Sequence, residues 1–525
     1  MEITQILAFL LSFLLVAYIL LYRYAEQRRS KRRSRRRAVY GPISYPLVGA
    51  LFSFWKNTNR HMEWYAEMLA KSPSQTIVVE RLAGVKNVVT ANPANVEHIL
   101  KTKFENYPKG KPFTVILHDL LGRGIFNADG NVWKLQRKVA CHEFSTRSLR
   151  NFVVDVVEEA TARLLHILED HATSSRSLDM QDILQRFAFD NICKVALGIE
   201  TASLDASLPP SKFSQALDVA SKLSAMRAAD PIPLVWKIKR MLNVGFERQL
   251  AESVRVVHDF AVDVIRRRRK EIIAATEMTK RDLLSRFMVD LVEGVESSEK
   301  FLRDFIISFI LAGRDTTSSA LSWFFWLLSS HPQVEDAIYN EIVSLVNTRP
   351  NAVESNSSAG EFTFSYEDLQ NMQYLHAAIC ESMRLYPPVP FDSKHALRND
   401  VLPDGTSVEK GTRVTYHPYA MGRMEALWGA DCLQFKPERW VDERGFFVAE
   451  SPFKYAVFQA GPRVCLGKDM AFIQMKYIAA SVIGRFHLKP VGCGVSPKLV
   501  HCLTARMEGG FPVVVKRRCR IDIDK

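Results

Sequence analysis

The sequence predicts a mainly α-helical fold with smaller β-sheets, an α+β architecture, behind a single N-terminal transmembrane helix. Stretches with the apolar spacing of long amphipathic helices cover residues 149–171, 249–275 and 301–330. Short runs of strand-forming residues occur at 76–80, 85–90, 408–416 and 510–515. With 525 residues, of which 47% are hydrophobic and 24% charged, the chain suits a large globular unit better than several membrane spans.

The first 22 residues predict a membrane anchor. Residues 3–22 form an apolar run of about 20 residues, enough for a helix to cross the roughly 30 Å hydrocarbon layer. A cleavable signal peptide carries basic residues before its apolar core, whereas here the basic residues follow it. We therefore predict a retained transmembrane signal anchor over 1–22 and a basic flank over 23–37, which the positive-inside rule keeps in the cytosol.

The formal net charge of +13 does not indicate a nucleic-acid partner. Residues 1–40 contain nine Lys or Arg residues against two Glu residues, so 9 − 2 = +7 belongs to the anchor region and 13 − 7 = +6 to the rest. A topology signal therefore accounts for more than half of the excess. The remaining positive charge is compatible with an acidic protein partner.

Two prolines, Pro42 and Pro46, predict a stiff and extended hinge over residues 38–49, followed by one large domain over 50–525. The eight cysteines include no CxxC pair, and a domain in the cytosol is kept reduced. Neither disulfides nor a zinc site is therefore predicted.

Cys465 lies in the loop FQAGPRVCLG, residues 458–467, just before a predicted helix. At a helix N-terminus, backbone N–H groups and the helix dipole lower the pKa of a thiol, and the planar donors of Arg463 suit a carboxylate. The loop matches the pattern FxxGxRxCxG at every fixed position and so resembles the haem-binding loop of the cytochrome P-450 superfamily. The resemblance implies the cytochrome P-450 fold, haem b as cofactor, Cys465 as axial ligand to the iron, and Phe458, Arg463 and Gly467 as haem-binding residues.

Residues 312–317, AGRDTT, interrupt the apolar stretch 301–330 with small and polar side chains. The glycine weakens the helix, and the Thr316 hydroxyl can compete for the carbonyl of Ala312 and open a local groove. The segment is similar to the oxygen-activation motif of the same family, which implies that Thr316 hydrogen-bonds the oxygen being activated and Asp315 relays protons. The alternative is a kinked core helix in which Asp315 acts like a cap.

Two further patterns resemble haem-binding segments of the family. WKLQR, residues 133–137, is similar to a helix in which Trp133 and Arg137 reach a haem propionate, and the two side chains lie on one helical face. His395, after the turn at Pro387 and Pro388, is predicted to be a further propionate donor; the alternative is an ordinary residue at a strand edge.

Glu381 and Arg384 form an ExxR pair, and Arg439 lies in the segment FKPERW. Alone, an ExxR pair is usually solvated. The resemblance implies a Glu–Arg–Arg cluster in the core, which we assign to folding and to the integrity of the haem pocket.

The intact AGxDTT segment implies a monooxygenase that uses O₂. Because the sequence contains no flavin or nicotinamide module, the two electrons are expected from NADPH through a separate NADPH-cytochrome P-450 reductase. This acidic partner is predicted to dock on a basic face that includes Arg137, Lys138 and Lys468. The expected location is the endoplasmic reticulum membrane, crossed once, with the catalytic domain in the cytosol.

Four segments are similar to the plant fatty-acid ω-hydroxylase clan: residues 391–395, 401–406, 419–425 and 458–471. The resemblance implies hydroxylation of the terminal (ω) carbon of a lipid-like substrate, with a fatty acid preferred. Oxidation of a jasmonoyl-amino acid conjugate and hydroxylation of a sterol side chain remain open. A non-catalytic haem- or lipid-binding protein is the alternative of a different class, and it would have no use for Thr316 and Asp315.

A narrow apolar channel would present the terminal carbon and exclude internal methylenes. We predict that the channel is lined by residues of the loop before Trp133, of the long helix and of the proline turn: Phe113, Thr114, Val115, Leu117, Ile310, Ala312, Val389 and Phe391. Lys109 and Lys111 are possible partners for a substrate carboxylate, although most lysines are exposed to solvent.

Overall fold

Helices make up most of the structure, a computed structural model that describes residues 40–46, 48–144, 147–205, 211–230, 232–274, 282–290, 299–348, 363–492 and 497–518. The predicted anchor over 1–22 and the basic flank over 23–37 lie outside the described residues. Within the described residues, no helix is both long enough and apolar enough to cross a bilayer.

The α-helices are α1 Leu51–Lys56, α2 His61–Lys71, α3 Pro93–Glu97, α4 Lys111–Leu121, α5 Gly130–Phe144, α6 Arg147–Ser174, α7 Met180–Leu197, α8 Lys212–Ala229, α9 Pro233–Leu242, α10 Phe246–Ala274, α11 Leu283–Asp290, α12 Glu299–Ser329, α13 Pro332–Asn347, α14 Tyr366–Asn371, α15 Gln373–Leu385, α16 Pro418–Met421, α17 Glu425–Trp428 and α18 Lys468–Ile483. The three long helices predicted from apolar spacing are confirmed as α6, α10 and α12.

The strands are β1 Thr76–Glu80, β2 Lys86–Thr90, β3 Ser177–Asp179, β4 Asp392–His395, β5 Asp400–Val401, β6 Ser407–Val408, β7 Arg413–Tyr416, β8 Phe486–Pro490, β9 Leu499–His501, β10 Ala505–Met507 and β11 Pro512–Arg517. The largest sheet has the order β1-β2-β7-β4, in which only the β2–β7 pair is parallel. The small sheets and the predominance of helix confirm the predicted fold class.

The hinge differs from its prediction at its C-terminal end. Tyr45 and Gly49 exchange two backbone hydrogen bonds of 2.9 and 2.8 Å, so the chain turns back instead of continuing extended. Val78 N–H donates to the carbonyl of Tyr40 and Ala50 N–H donates to the carbonyl of Glu80, each at 2.8 Å, so the segment is attached to the middle and to the C-terminal end of β1. The chain therefore enters the fold along the edge of the large sheet.

Helix α12 runs through the core, with apolar side chains buried around most of its circumference. Its contact with α7 requires Gly313, because a Cβ at this position would lie 2.5 Å from Ile192 Cδ1. Trp323 and Phe324, near the other end of α12, are fully buried. The helix is thus packed against α7 at its middle and buried towards its C-terminal end, and the turns around Gly313 face the cavity described below.

The predicted Glu–Arg–Arg cluster is present and buried. Arg384 donates two hydrogen bonds to Glu381, of 2.7 and 2.8 Å, and Arg439 Nε donates to the same carboxylate at 3.2 Å. Trp440 Nε1 adds a fourth donor at 2.9 Å. Arg384 also donates to the carbonyl of Cys432 at 2.6 Å. Because every charged group has partners, the cluster ties α15 to the segment 428–440 without an unpaired buried charge.

Glu381→Ala should destabilise the fold strongly, because it leaves Arg384 buried without its counter-ion. We expect a loss of about 3–5 kcal/mol in unfolding free energy, seen as a lower urea midpoint in circular dichroism of the full chain. Glu97→Ala, which removes an exposed pair with Lys101, is the control and should cost less than about 1 kcal/mol. Equal shifts for the two variants would refute the structural role of the cluster.

Candidate active site around Cys465

The loop before α18 holds Cys465 in a fixed position. Gly461 has a φ of +64°, and a Cβ there would lie 2.1 Å from the carbonyl oxygen of Leu100, so only glycine fits. Cys465 N–H donates to the carbonyl of Phe458 at 2.9 Å and closes the loop. Gly467 is the N-cap of α18, and its backbone N–H interacts with the thiol. The predicted placement of Cys465 at a helix N-terminus is confirmed.

The predicted direction of the thiol pKa is wrong. Burial raises the pKa of Cys465 above its ordinary value, and this outweighs the Gly467 N–H group and the charges of Arg137 and Lys468, which lower it. The thiol surface is nevertheless open to an internal cavity. A cation held against the sulfur would favour the thiolate.

The cavity in front of Cys465 is mainly apolar. One wall is formed by α12, which contributes Phe309, Ala312, Gly313, Thr316 and Thr317. The Thr316 hydroxyl donates to the Ala312 carbonyl at 2.5 Å, as predicted. The thiol of Cys465 and the hydroxyl of Thr316 therefore line the same space, although they lie 149 positions apart in the sequence.

Asp315 does not line this cavity. Its carboxylate is 2% exposed and accepts hydrogen bonds from Arg314 at 3.2 Å and Arg506 at 3.3 Å. The same two arginines donate to Asp218 of α8, at 2.7 and 2.8 Å. The predicted proton relay through Asp315 is therefore not preformed, because the carboxylate is held in an ionic network between α12, α8 and β10.

A cluster of charged side chains forms the wall beside α5. Arg463 donates to Asp129 at 2.7 Å and stacks its guanidinium 4.4 Å from the ring centroid of Trp133. Its Nε is buried and has no hydrogen-bond partner among the described residues. Trp133 and Arg137 both line the cavity, as predicted from the WxxxR pattern.

Lys109 and Lys394 complete this wall. Both donate to Asp392, at 2.5 and 2.7 Å. Burial would raise the pKa of Asp392, but the charges of Lys109 and Lys394 outweigh it and hold the pKa well below its usual range. Burial lowers the pKa of Lys394 to about 7, and Asp392 acts in the opposite direction. Lys109 is thus buried and paired, unlike Lys111, which is exposed.

The assignment of His395 as a cofactor-binding residue is not supported. His395 Nδ1–H donates a hydrogen bond to the carbonyl of Lys109 at 2.7 Å, and the side chain does not line the cavity. Successive residues of a strand point to opposite faces of the sheet, so Lys394 faces the cavity and His395 the other side. The cation of β4 that lines the cavity is therefore Lys394, one position before His395.

Of the residues predicted for the channel, five line the cavity: Phe113, Leu117, Ala312, Val389 and Phe391. Thr114, Val115 and Ile310 do not line it. The segment before Trp133 is the helix α4 and not a loop, so its cavity residues follow helical spacing: Phe113, Ile116, Leu117 and Leu121. Val115 is 40% exposed, and Ile310 is buried on the side of α12 away from the cavity.

Other cavity residues carried no motif, among them Phe144 of α5, Ile192 of α7, Ala225 of α8, and Cys502 and Leu503 of the loop before β10. They come from elements far apart in the chain. Helical spacing in α4 was the one signal that would have identified Ile116 and Leu121.

Comparison with known proteins identifies the family. The family model for Cytochrome P450 matches residues 39–501. The chain belongs to the cytochrome P450 family. Cytochrome P450 94B1 of Arabidopsis thaliana is 48% identical over 489 residues, which cover 92% of each chain. Cytochrome P450 94A1 of Vicia sativa is 47% identical over 91% of this chain and 90% of its own length. Cytochrome P450 86B1 of Arabidopsis thaliana is 45% identical over 84% of this chain and 79% of its own length.

This cytochrome P450 is therefore a monooxygenase of a family that uses haem iron, and its charged wall fits that cofactor. On this wall, four basic side chains, Lys109, Arg137, Lys394 and Arg463, accompany two carboxylates, Asp129 and Asp392, and Arg413 adds a fifth basic group at the edge of the cavity. Basic groups therefore outnumber acidic ones, which suits a ligand with carboxylates, and haem b carries two propionates. A propionate next to Lys394 would also stabilise its charged form.

Replacing Cys465 by Ala should abolish thiolate ligation. We expect the red-shifted Soret band of the reduced, carbon-monoxide-bound protein to disappear from membranes that contain the full chain. Cys502→Ala is the matched control, because Cys502 lines the same cavity, and it should keep the band. Survival of the band in Cys465→Ala would exclude Cys465 as the ligand.

Proposed function

We propose that this cytochrome P450 hydroxylates the terminal (ω) carbon of a lipid-like substrate, with a fatty acid as the preferred one. The observation that carries this proposal is the apolar cavity shared by Cys465 and Thr316, in which Phe113, Phe309 and Phe391 supply bulky walls. Such walls favour a hydrocarbon chain and hinder a sideways approach of its internal methylenes. The sequence similarity to the plant fatty-acid ω-hydroxylase clan supports the same substrate class.

The residues that would hold haem b are Cys465 at the iron and Trp133, Arg137, Lys394 and Arg463 at the propionates. Phe458 and Gly467 line the cavity on the Cys465 side. When bound, haem supplies an iron centre that activates O₂ with two electrons. The protein contributes a fixed sulfur ligand, a charged wall that orients the cofactor, and an apolar space that excludes water.

Proton delivery is assigned to Thr316, whose hydroxyl lies at the cavity wall and is already polarised by its bond to Ala312. Asp315 would reach the cavity only after leaving Arg314 and Arg506. We therefore place Asp315 in the ionic network that holds α12 against α8, from which it could supply protons when that network opens.

The electron donor proposed here is a separate NADPH-cytochrome P-450 reductase. Lys138 and Lys468 are exposed and suit an acidic partner, whereas Arg137 opens to the cavity and is better assigned to the cofactor. The N-terminal segment 1–22 is proposed to anchor the protein in the endoplasmic reticulum membrane, with the enzyme domain in the cytosol.

Turnover of a substrate panel tests the proposed function. Membranes with the full chain, a reductase and NADPH are incubated with a fatty acid, a jasmonoyl-amino acid conjugate and a sterol, and the products are located by mass spectrometry. Terminal hydroxylation of the fatty acid supports the proposal. Exclusive oxidation of one of the other two substrates would replace it, and binding without turnover by any of them would favour a non-catalytic protein.

Thr316→Val should uncouple the reaction. With proton delivery impaired, NADPH is consumed but the rate of product formation falls by roughly tenfold or more. The control is Ser318→Ala, because Ser318 makes the same type of bond to a carbonyl four residues back, at 2.7 Å, outside the cavity. Unchanged product per NADPH in Thr316→Val would remove Thr316 from proton delivery.

Phe391→Ala should widen the cavity and reduce regioselectivity. We expect a larger share of internally hydroxylated products, because more methylenes then reach the reacting position. Val115→Ala, on the exposed face of α4, should leave the product distribution as it is. If both rate and product position stayed the same in Phe391→Ala, Phe391 would have no role in positioning.

A further inference from the structure

A second, smaller cavity lies next to the Cys465 cavity. Its walls include Tyr65 of α2, Arg81 after β1, and Asn87 of β2. Phe391, Arg413 and Ala228 line both cavities. The two spaces are therefore neighbours, with Phe391 and Arg413 at the boundary.

The two arginines project from one face of the large sheet. Asn87 is paired with Val79 on β1 and with Arg413 on β7, and residues in register share a face. Arg81 lies two positions after Val79 and continues the same alternation. Lys394 is in register with Val414, so the charged wall of the Cys465 cavity belongs to the opposite face.

The two guanidinium groups make few contacts with the protein, and that of Arg81 lies 4.8 Å from the ring centroid of Phe54. Arg81 Nη1 is buried and makes no hydrogen bond among the described residues. The one side-chain hydrogen bond that Arg413 makes within the described part of the chain is from Nε to Ser393 Oγ, at 3.0 Å. Burial, and secondly the charge of Arg81, lower the pKa of Arg413 to about 10. The second cavity thus holds two positive charges close enough to repel one another.

The nearby carboxylates are engaged elsewhere. Asp392 accepts hydrogen bonds from Lys109 and Lys394. Glu63 is exposed and accepts a hydrogen bond from Tyr419 at 3.4 Å. Because a buried charge without a partner is costly, the arrangement favours an anion supplied by a ligand.

We propose that the second cavity binds the carboxylate of the substrate, with Arg81 and Arg413 as specificity-determining residues. The planar forks of two guanidinium groups suit a carboxylate, and the Tyr65 hydroxyl can donate a further hydrogen bond. From there the hydrocarbon chain passes Phe391 into the Cys465 cavity. This assignment rests on the proposed function, and it explains how the acid end is fixed while the far end reacts.

A pair of probes tests the site without turnover. One is dodecanoic acid with a terminal imidazole, and the other is the corresponding alcohol. The imidazole binds the haem iron and shifts its absorption band, so titration of the haem-loaded full chain gives a dissociation constant for each probe. We expect the acid to bind at least about tenfold more tightly than the alcohol, because hydrogen bonds between charged groups are stronger than those to a neutral hydroxyl.

Arg81→Gln and Arg413→Gln should each weaken binding of the acid by about tenfold and leave binding of the alcohol unchanged. Lys86→Gln is the control, because Lys86 is a cation of β2 that lies outside the cavity and pairs with Glu409 at 3.4 Å. Arg413→Lys keeps the charge and should restore part of the preference for the acid, which also shows that the strand tolerates substitution.

The site is refuted if the unmodified protein does not prefer the acid, if both variants keep the preference, or if they weaken both probes equally. The result is separable from the proposed function. A protein that prefers the acid probe but hydroxylates no fatty acid would refute the proposed function and retain the carboxylate site. Terminal hydroxylation of the fatty acid without a preference for the acid probe would support the proposed function and refute the carboxylate site.

Discussion

The close passage of Gly461 beside the Leu100 carbonyl fixes the loop on which the site depends. A side chain at this position would meet backbone, and backbone cannot move aside without disturbing the sheet side of the fold. The loop is also tied to α15 by the Tyr455 hydroxyl, which donates to the carbonyl of Cys380 at 3.0 Å. Since α15 carries the buried Glu381 cluster, the position of Cys465 is linked to the best-satisfied ionic group of the core. Helix α12, held against α7 at Gly313, then brings Thr316 to the same cavity.

Charge is divided between the two faces of the β1-β2-β7-β4 sheet. On one face, Lys394 and Asp392 join Arg463 and Arg137 in a wall in which basic groups outnumber acidic ones. On the other face, Arg81 and Arg413 meet without a carboxylate of their own. The first arrangement suits the two carboxylates of a cofactor, and the second suits a single carboxylate at the end of a substrate. Because successive side chains of a strand point to opposite faces of the sheet, neighbouring residues of the same strands can serve the two different ligands.

Local motifs were sufficient to predict the helix content, the long helices and the groups around Cys465. The errors came from tertiary packing. Lys111-Pro112 is a favourable helix start, and mistaking α4 for a loop placed Thr114 and Val115 in the channel although the helix turns them away. His395 was chosen over Lys394 because sequence does not show which face of a strand meets a cofactor. The pKa of Cys465 is raised by burial, which the local sequence does not show. The pairing of Asp315 with Arg506 joins residues almost two hundred positions apart, so no local motif indicates it. The second cavity is assembled from five separate stretches of the chain and has no sequence motif.

X-ray absorption at the iron edge of the haem-loaded full chain tests the assignment of Cys465 most directly, because it reports the atoms bound to the metal without relying on activity. We expect one sulfur ligand in the first shell of the iron, lost in Cys465→Ala and retained in Cys502→Ala. A first shell of nitrogen and oxygen atoms alone in the unmodified, correctly folded protein would contradict the assignment.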